Sequence, residues 1–333
     1  MLLILREIDL LWGIFSFVFT VTEAIIFPGQ GCQVVGMAKE FYDNFAIAKR
    51  IFEEANDILG KNLTKIIFDG PFEELTLSDN TQPAIMVTSI AILETLKSEI
   101  GKDIDSICKF TAGHSLGEYT ALCASHSFSF SDAVRLLRVR GEAFLKAGEM
   151  SSGAMAVISA PIAEIDKIIA ESRLDGELLE ITNDNTYDQV VISGNARSVD
   201  RALDVARDRG ISRLKKLSVS GAFHSKLMEP AVDDMHRALE NCRVSTPAVS
   251  VVANYTAKIE TVEEIRSNLL EQITHRVRWR ETMLNLEQYG VNIFIEIGPG
   301  RVLTNMVKKT CPNAKAIAIS SLEQMKEFIE TLN

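Results

Sequence analysis

A Gly-x-Ser-x-Gly motif, Gly113-His-Ser-Leu-Gly117, places Ser115 where it could act as a nucleophile. An extended apolar run, 107–112, precedes the motif, and a run compatible with a helix, 116–124, follows it. In such a strand–turn–helix segment the serine adopts a strained backbone conformation, and its hydroxyl is exposed at the carboxyl end of the strand. The glycines let strand and helix approach closely. The backbone amide of Leu116, at the helix start, then points to where an oxyanion would form.

The motif alone is weak evidence, because it occurs by chance in roughly one chain in ten of this length. The alternative is a glycine-rich turn that only joins a strand to a helix. The apolar strand before the motif and the helical pattern after it favour the nucleophile. A nucleophilic serine needs a base from elsewhere in the chain.

His224 is the candidate base. It follows Gly221-Ala-Phe and precedes a run, 226–241, that we predict to be helical. From such a loop an imidazole can reach a serine that is distant in sequence. Taken alone, a histidine before a helix is more often a capping or surface residue. No acid between Ser115 and His224 lies in a setting that predicts a third member of a triad.

Arg140 interrupts the apolar face of a predicted helix that Ser131 or Asp132 can cap. Residues at spacings of three and four share this face: Ala133, Leu136, Leu137, Arg140 and Phe144. A buried guanidinium is costly unless an anion pairs with it. The partner is either an internal carboxylate such as Glu118 or a substrate carboxylate held in a bidentate pair.

The composition indicates an enzyme-sized globular chain. Its 333 residues are 47% hydrophobic and 24% charged, enough for one large domain with a smaller insert. The net charge of −10 argues against a nucleic-acid binder. Five scattered cysteines without a Cys-x-x-Cys motif fit a reducing cytoplasm. The five histidines form no ligand pattern, so we expect no metal.

Residues 1–21 differ from the rest of the chain. The apolar run 10–21, about twelve residues, is too short for a bilayer that needs ~20. Acids, Glu7 and Asp9, precede it where a secretory signal would be basic. We therefore expect an extension outside the catalytic fold and no membrane span. A membrane-surface anchor is the alternative.

The remaining chain alternates predicted strands and helices, which indicates an α/β fold with a mostly parallel sheet covered on both faces. After the first strand, 24–27, a glycine-rich loop could place amides on a ligand or be an ordinary turn. Between 152 and 216 the order becomes β-α-β-β-α-β, that of a ferredoxin-like unit. We predict a main domain of residues 22–151 and 217–333 and an inserted subdomain of residues 152–216.

Five motifs occur in an order that resembles one known family. They are Phe27-Pro-Gly-Gln-Gly31, Thr81-Gln-Pro83, Gly113-His-Ser-Leu-Gly-Glu118, Arg140-Gly141 and Gly221-Ala-Phe-His224. Together they resemble the malonyl-CoA:acyl carrier protein transacylase family, from about residue 22 to the carboxyl terminus. The resemblance implies an α/β hydrolase-like fold with an inserted ferredoxin-like subdomain. It also implies an S-malonyltransferase that supplies fatty acid biosynthesis.

The resemblance implies a role for each site residue. Ser115 would carry the malonyl group, His224 would act as its base, and Arg140 would hold the free malonyl carboxylate. The backbone amides of Leu116 and Gln30 would hold the oxyanion. The implied partners are malonyl-CoA, as a substrate, and acyl carrier protein, with no cofactor and no nucleic acid.

The family uses a backbone carbonyl to orient its histidine, and the resemblance assigns it to Arg278 in the segment 277–279. This sequence departs from the family at three places. Cys32 stands where serine is usual, Arg278 where glutamine is frequent, and Tyr187-Asp188 where Pro-Gly is common. Two rival classes share parts of the pattern. An esterase would need no Arg140, and a carrier-binding scaffold would not turn over.

Overall fold

The structure, a computed structural model, describes residues 22–219 and 221–332. The expected extension, residues 1–21, lies outside the described residues. Within these ranges the chain forms nine strands. Their bounds are Glu23–Phe27 (β1), Phe110–Gly113 (β2), Gly153–Ile158 (β3), Leu179–Thr186 (β4), Gln189–Asn195 (β5), Leu214–Lys216 (β6), Ser250–Val252 (β7), Ile293–Ile297 (β8) and Lys315–Ile319 (β9).

The same ranges contain fourteen α-helices and two short 3-10 helices, Ile104–Ser106 and Lys226–Ala231. The α-helices are Lys39–Asn44 (α1), Ala46–Leu59 (α2), Leu63–Asp69 (α3), Phe72–Thr76 (α4), Ser78–Ile100 (α5), Gly117–Ala124 (α6), Phe130–Met150 (α7), Ile162–Ser172 (α8), Ala196–Asp208 (α9), Val232–Glu240 (α10), Ile265–Thr274 (α11), Trp279–Gln288 (α12), Val302–Thr310 (α13) and Leu322–Glu330 (α14).

The main sheet is parallel and has the strand order β7-β2-β1-β8-β9. Its central strand, β1, is buried on both faces because helices cover both. Ile25 and Phe27 belong to one apolar cluster, and Ala24 and Ile26 belong to another on the opposite face. This is the α/β fold with a mostly parallel sheet that the sequence predicts.

The order of the strands brings three loops together. Neighbouring strands β7, β2 and β1 end, respectively, just before Asn254, Ser115 and Gln30. Because the carboxyl ends of parallel strands lie at one edge of a sheet, the loops that follow them meet there. This edge positions the candidate site.

The second sheet has the order β4-β5-β3-β6 and is antiparallel. Together with α8 and α9, which pack with it around a separate apolar cluster, this gives the ferredoxin-like arrangement predicted for the insert. The exact domain limits at 152 and 216 stay a prediction.

The small subdomain contacts the main domain through β4. Asp184 is buried and accepts two hydrogen bonds from Arg280, at 2.9 Å to Nε and 2.8 Å to NH2. The next residue, Asn185, accepts a hydrogen bond from Nε2 of His114 at 2.9 Å. Since His114 precedes Ser115, the subdomain is in direct contact with the serine turn.

Helix α5 begins at Ser78, so Pro83 lies beyond its first turn. Pro83 has no N–H to bond the carbonyl of Asp79, and NH1 of Arg138 donates to that oxygen instead, at 3.1 Å. Helix α7 is capped by Ser129, whose Oγ accepts from the amide of Asp132 at 3.0 Å, and not by Ser131 or Asp132.

Candidate active site

Ser115 occupies a sharp turn between β2 and α6. Its backbone φ is 55°, in the left-handed region that costs a non-glycine residue free energy. A Cβ at Gly113 would collide with the carbonyl of Gly117, and a Cβ at Gly117 would collide with that of Phe27. Both motif glycines are therefore required by close approach of strand, turn and helix.

Asn254 holds this turn in place. Its side-chain Oδ1 accepts from the amide of Ser115 at 2.7 Å, and its Nδ2 donates to the carbonyl of Gly113 at 2.6 Å. These bonds satisfy buried backbone groups on both sides of the strained residue. This role was not predicted from the sequence. The available signal was the polar residue Asn254 directly after the valine-rich run 249–253.

Ser115 and His224 form a hydrogen-bonded pair. The Oγ of Ser115 lies 2.7 Å from Nε2 of His224, and Nδ1 lies 2.8 Å from the carbonyl oxygen of Gln272. A carbonyl can only accept, so Nδ1 carries the proton and Nε2 accepts from the hydroxyl. Burial, with a further contribution from Arg140, lowers the pKa of His224 to about 3. The imidazole is therefore neutral and able to take the serine proton.

The structure corrects the assignment of the orienting carbonyl to Arg278. The carbonyl of Gln272 contacts His224, whereas that of Arg278 accepts from the amide of Thr282 at 2.9 Å within helix α12. Gln272 lies in the last turn of α11, where carbonyls lack an intrahelical partner and are free for other donors. Helix α11 was not predicted from the sequence.

Arg140 lies beside the serine and is buried, with 1% of its surface exposed. Its NH1 donates to Oε1 of Gln82 at 2.7 Å, and its NH2 donates to Oε1 of Gln272 at 2.8 Å and to Oγ of Ser115 at 3.1 Å. The ring of Phe144 lies 4.2 Å from the guanidinium carbon. The buried apolar face predicted for this helix is present.

The acceptors that hold Arg140 are all uncharged. Among residues 22–219 and 221–332, no carboxylate hydrogen-bonds to the guanidinium of Arg140. Glu118, the internal partner that the sequence left open, bonds instead to Nε2 of Gln272 at 2.6 Å. Burial lowers the pKa of Arg140, yet a guanidinium stays protonated in proteins. The site therefore holds a cation that is suited to an incoming anion.

The two amides predicted for the oxyanion belong to the serine turn and to the loop after β1, which contact each other. Leu116 precedes the first residue of α6, so its amide is one of the helix-terminal N–H groups without an intrahelical acceptor. Gln30 lies in the loop after β1, which the hydrogen bond from the amide of His114 to the carbonyl of Phe27, at 3.0 Å, brings beside the turn. Cys32 donates from Sγ to the carbonyl of Gly29 at 3.0 Å within this loop. The oxyanion role of the two amides stays a prediction.

A model of the acyl transferase domain matches residues 24–327. The chain belongs to the acyl transferase family. Curated relatives confirm its resemblance to the malonyl-CoA:acyl carrier protein transacylases, which was drawn from five motifs. A curated relative from Bacillus subtilis, named malonyl CoA-acyl carrier protein transacylase, is 44% identical over 311 residues, which are 93% of this acyl transferase and 96% of the relative.

Solved structures also resemble this acyl transferase. The acyl-carrier-protein-S-malonyltransferase of Bartonella henselae superposes with a TM-score of 0.89 at 40% identity, covering 94% of this chain and 99% of that one. A malonyl-transacylase solved in complex with a type II PKS acyl-carrier protein superposes with a TM-score of 0.88 at 36% identity, covering 93% and 99%. The fold and the enzyme class, acyltransferase, agree with the sequence prediction.

Two further features of the described part of this acyl transferase concern ions and membranes. Across residues 22–219 and 221–332, His, Cys, Asp and Glu side chains form no group of three or more that could hold a metal. None of the described helices is both long and apolar enough to cross a membrane.

Proposed function

We propose that this acyl transferase moves the malonyl group of malonyl-CoA to the phosphopantetheine thiol of acyl carrier protein, through a malonyl-Ser115 intermediate. One observation carries the proposal. The Oγ of Ser115 lies 2.7 Å from Nε2 of His224 and 3.1 Å from NH2 of Arg140. The nucleophile thus has a base on one side and a cation on the other. The names of the relatives support the same reaction.

In the first half-reaction, Nε2 of His224 takes the hydroxyl proton as Oγ of Ser115 attacks the thioester carbonyl. The amides of Leu116 and Gln30 stabilise the oxyanion of the tetrahedral intermediate. The C–S bond then breaks, and the proton on His224 goes to the CoA thiolate. Free CoA leaves, and malonyl remains as an ester on Ser115.

In the second half-reaction the carrier thiol loses its proton to His224 and attacks the ester. The bond between the acyl carbon and Oγ breaks, and the proton returns to Ser115. Such a sequence is ping-pong, since CoA leaves before the carrier enters. Arg140 pairs with the malonyl carboxylate throughout, because its present acceptors are neutral and a carboxylate provides charge-assisted hydrogen bonds. This ion pair fixes the position of the acyl chain in the site.

We propose that no cofactor takes part, because nucleophile, base and carboxylate-binding group are all side chains of the chain itself. We also propose a cytoplasmic location and a role in fatty acid biosynthesis. The location is supported by five cysteines that are all free thiols. The pathway is supported by the malonyl transacylase relatives.

Incubation with malonyl-CoA labelled in the malonyl group tests the function. The expected result is a stable, stoichiometric label on Ser115 that moves to holo carrier protein when it is added. The variant Ser115→Ala should take up no label. Steady release of free malonate would indicate an esterase, and the absence of any label on the wild type would indicate a binding scaffold. Either result would overturn the proposal.

A further inference from the structure

The side chain of Gln272 links three parts of the site. Its Oε1 accepts from NH2 of Arg140 at 2.8 Å, while its Nε2 donates to the carbonyl of Ser115 at 3.1 Å and to Oε2 of Glu118 at 2.6 Å. The two ends of an amide differ, because one only donates and the other only accepts. Gln272 can therefore accept a hydrogen bond from Arg140 in only one of the two orientations of its amide.

Glu118 lies opposite the donating end of that amide. It belongs to the first turn of α6 and is completely buried. Its Oε2 accepts from Gln272 and also from the backbone amide of Asn254, at 3.0 Å. Its Oε1 has no hydrogen-bond partner within the described part of the chain. The carboxyl group is thus held through a single oxygen, which faces the active site.

Both protonation states of Glu118 can keep these contacts. Burial raises the pKa of Glu118 to about 7. A proton taken up by the carboxyl group can reside on Oε1, which is otherwise unpartnered, and Oε2 continues to accept. The geometry therefore requires an acceptor at this position, and a negative charge is secondary.

We propose that Glu118 is a positioning residue for Arg140. Together with the carbonyl of Ser115, it turns the Gln272 amide so that Oε1 faces the guanidinium. In the opposite orientation the NH2 group of Gln272 would face NH2 of Arg140, donor against donor. The guanidinium would lose one of its three acceptors. Its approach to the substrate carboxylate would then be poorly defined. The inference rests on the proposed function, because it concerns the grip on a malonyl group.

If Glu118 only supported the fold, its variants would change the acylation rates in a different way. Through the amide of Asn254, Glu118 also supports the turn that carries Ser115. Damage to that support would slow acylation by every thioester to a similar extent. Loss of the hydrogen bond between Arg140 and Gln272 would slow only acylation by thioesters that carry a carboxylate. The ratio of kcat/KM for malonyl-CoA to that for acetyl-CoA, measured for loading of Ser115, separates the two.

Two variants of Glu118 separate position from charge. Glu118→Gln keeps the reach of the side chain and an oxygen that can accept, so the ratio should stay within ~3-fold of wild type. Glu118→Asp keeps the charge but withdraws the oxygen by one methylene, so the ratio should fall about tenfold, as for loss of one hydrogen bond to a charged group. An unchanged ratio in Glu118→Asp, or an equal fall in both variants, would overturn the proposal.

A double-mutant cycle tests whether the effect passes through Gln272. Gln272→Met keeps the backbone carbonyl that orients His224 but removes the side-chain amide, and we expect it to lower the ratio about tenfold. Adding Glu118→Asp should lower the ratio no further, because residues that act in series are not additive. Multiplying effects would contradict the proposal. If Ser115 of the wild-type protein takes up no malonyl group, the proposed function itself is wrong.

Discussion

The Nδ1 of His224 lies 2.8 Å from the backbone carbonyl oxygen of Gln272, at the end of helix α11. A neutral carbonyl therefore occupies the place that an acid has in a serine triad. It fixes the tautomer and the ring orientation without supplying a negative charge. Burial, with Arg140 nearby and no counter-charge at Nδ1, lowers the pKa of His224, so the imidazole stays neutral at pH values well below 6.5.

The rate of acylation should resist mild acid. Because burial lowers the pKa of His224 to about 3, the base form persists until the pH falls towards that value. Acylation by acetyl-CoA, measured by rapid quench, should change less than ~3-fold between about pH 7.5 and 5.5, whereas a histidine with a pKa of ~6.5 would lose about tenfold. A tenfold loss centred near that ordinary value would contradict the dyad described here.

The same shift has a cost in stability. In the unfolded chain the histidine takes up a proton below its ordinary pKa of 6.5, while the folded protein binds it only near 3. The unfolded state binds more protons in this window, so His224 lowers the free energy of unfolding as the pH falls through it. The acylation assay therefore needs thermal unfolding at each pH as its control.

Arg140→Ala should impair malonyl loading selectively. The guanidinium is the cation that approaches Oγ of Ser115, and loss of its charge-assisted hydrogen bonds to a carboxylate should lower kcat/KM for malonyl-CoA about 10–100-fold. Loading from acetyl-CoA should fall much less. The matched control is Arg135→Ala, an exposed arginine on the other side of the same helix. Equal losses for both thioesters would remove Arg140 from carboxylate binding.

Asn254→Ala should slow loading from malonyl-CoA and acetyl-CoA alike. It removes the acceptor of the Ser115 amide and the donor to the Gly113 carbonyl, which leaves buried groups unsatisfied at a cost of about 1–3 kcal/mol. We expect a lower Tm and a lower acylation rate with an unchanged malonyl-to-acetyl ratio. Asn241→Ala, at an exposed helix end, is the control. A normal rate would show that the turn holds without Asn254.

Arg138→Ala should destabilise the fold without a loss of acyl selectivity. Pro83 leaves the carbonyl of Asp79 without its helical donor, and NH1 of Arg138 supplies one at 3.1 Å. Removing it should lower the free energy of unfolding by about 1–2 kcal/mol, measured by urea denaturation. A surface arginine without this contact, Arg135, should cost less than about 0.5 kcal/mol when changed to alanine. An equal loss of unfolding free energy in both variants would show that the hydrogen bond from Arg138 to the carbonyl of Asp79 does not stabilise the fold.

The cysteines should be inert in the folded protein. All five are free and buried, and burial raises the pKa of the thiols of Cys108, Cys123, Cys242 and Cys311 to about 12. The pKa of the Cys32 thiol, beside the active-site loop, is raised as well. A disulfide reagent at mild alkaline pH should react only after unfolding and should leave loading intact. Rapid labelling of one thiol with loss of activity would contradict this.

Much of the site was visible in the sequence because its signals are local. The glycines around Ser115 report a close approach of strand and helix, and the spacing of apolar residues around Arg140 reports which helix face is buried. The β-α-β-β-α-β order of the small subdomain is likewise a pattern along the chain. Each of these features follows from neighbours in sequence, and the structure has each of them.

The partners of these residues were decided only by the tertiary structure. Gln272 lies 157 residues from Ser115, in a helix that the sequence did not reveal, and Asn254 lies 139 residues away. Periodicity shows which face of an element is buried, but not which carbonyl or amide of another element will meet it. Which groups meet depends on the order of the strands in the sheet and on where α11 and β7 end. The orienting carbonyl therefore belongs to Gln272 rather than Arg278, and Glu118 meets an amide instead of a guanidinium.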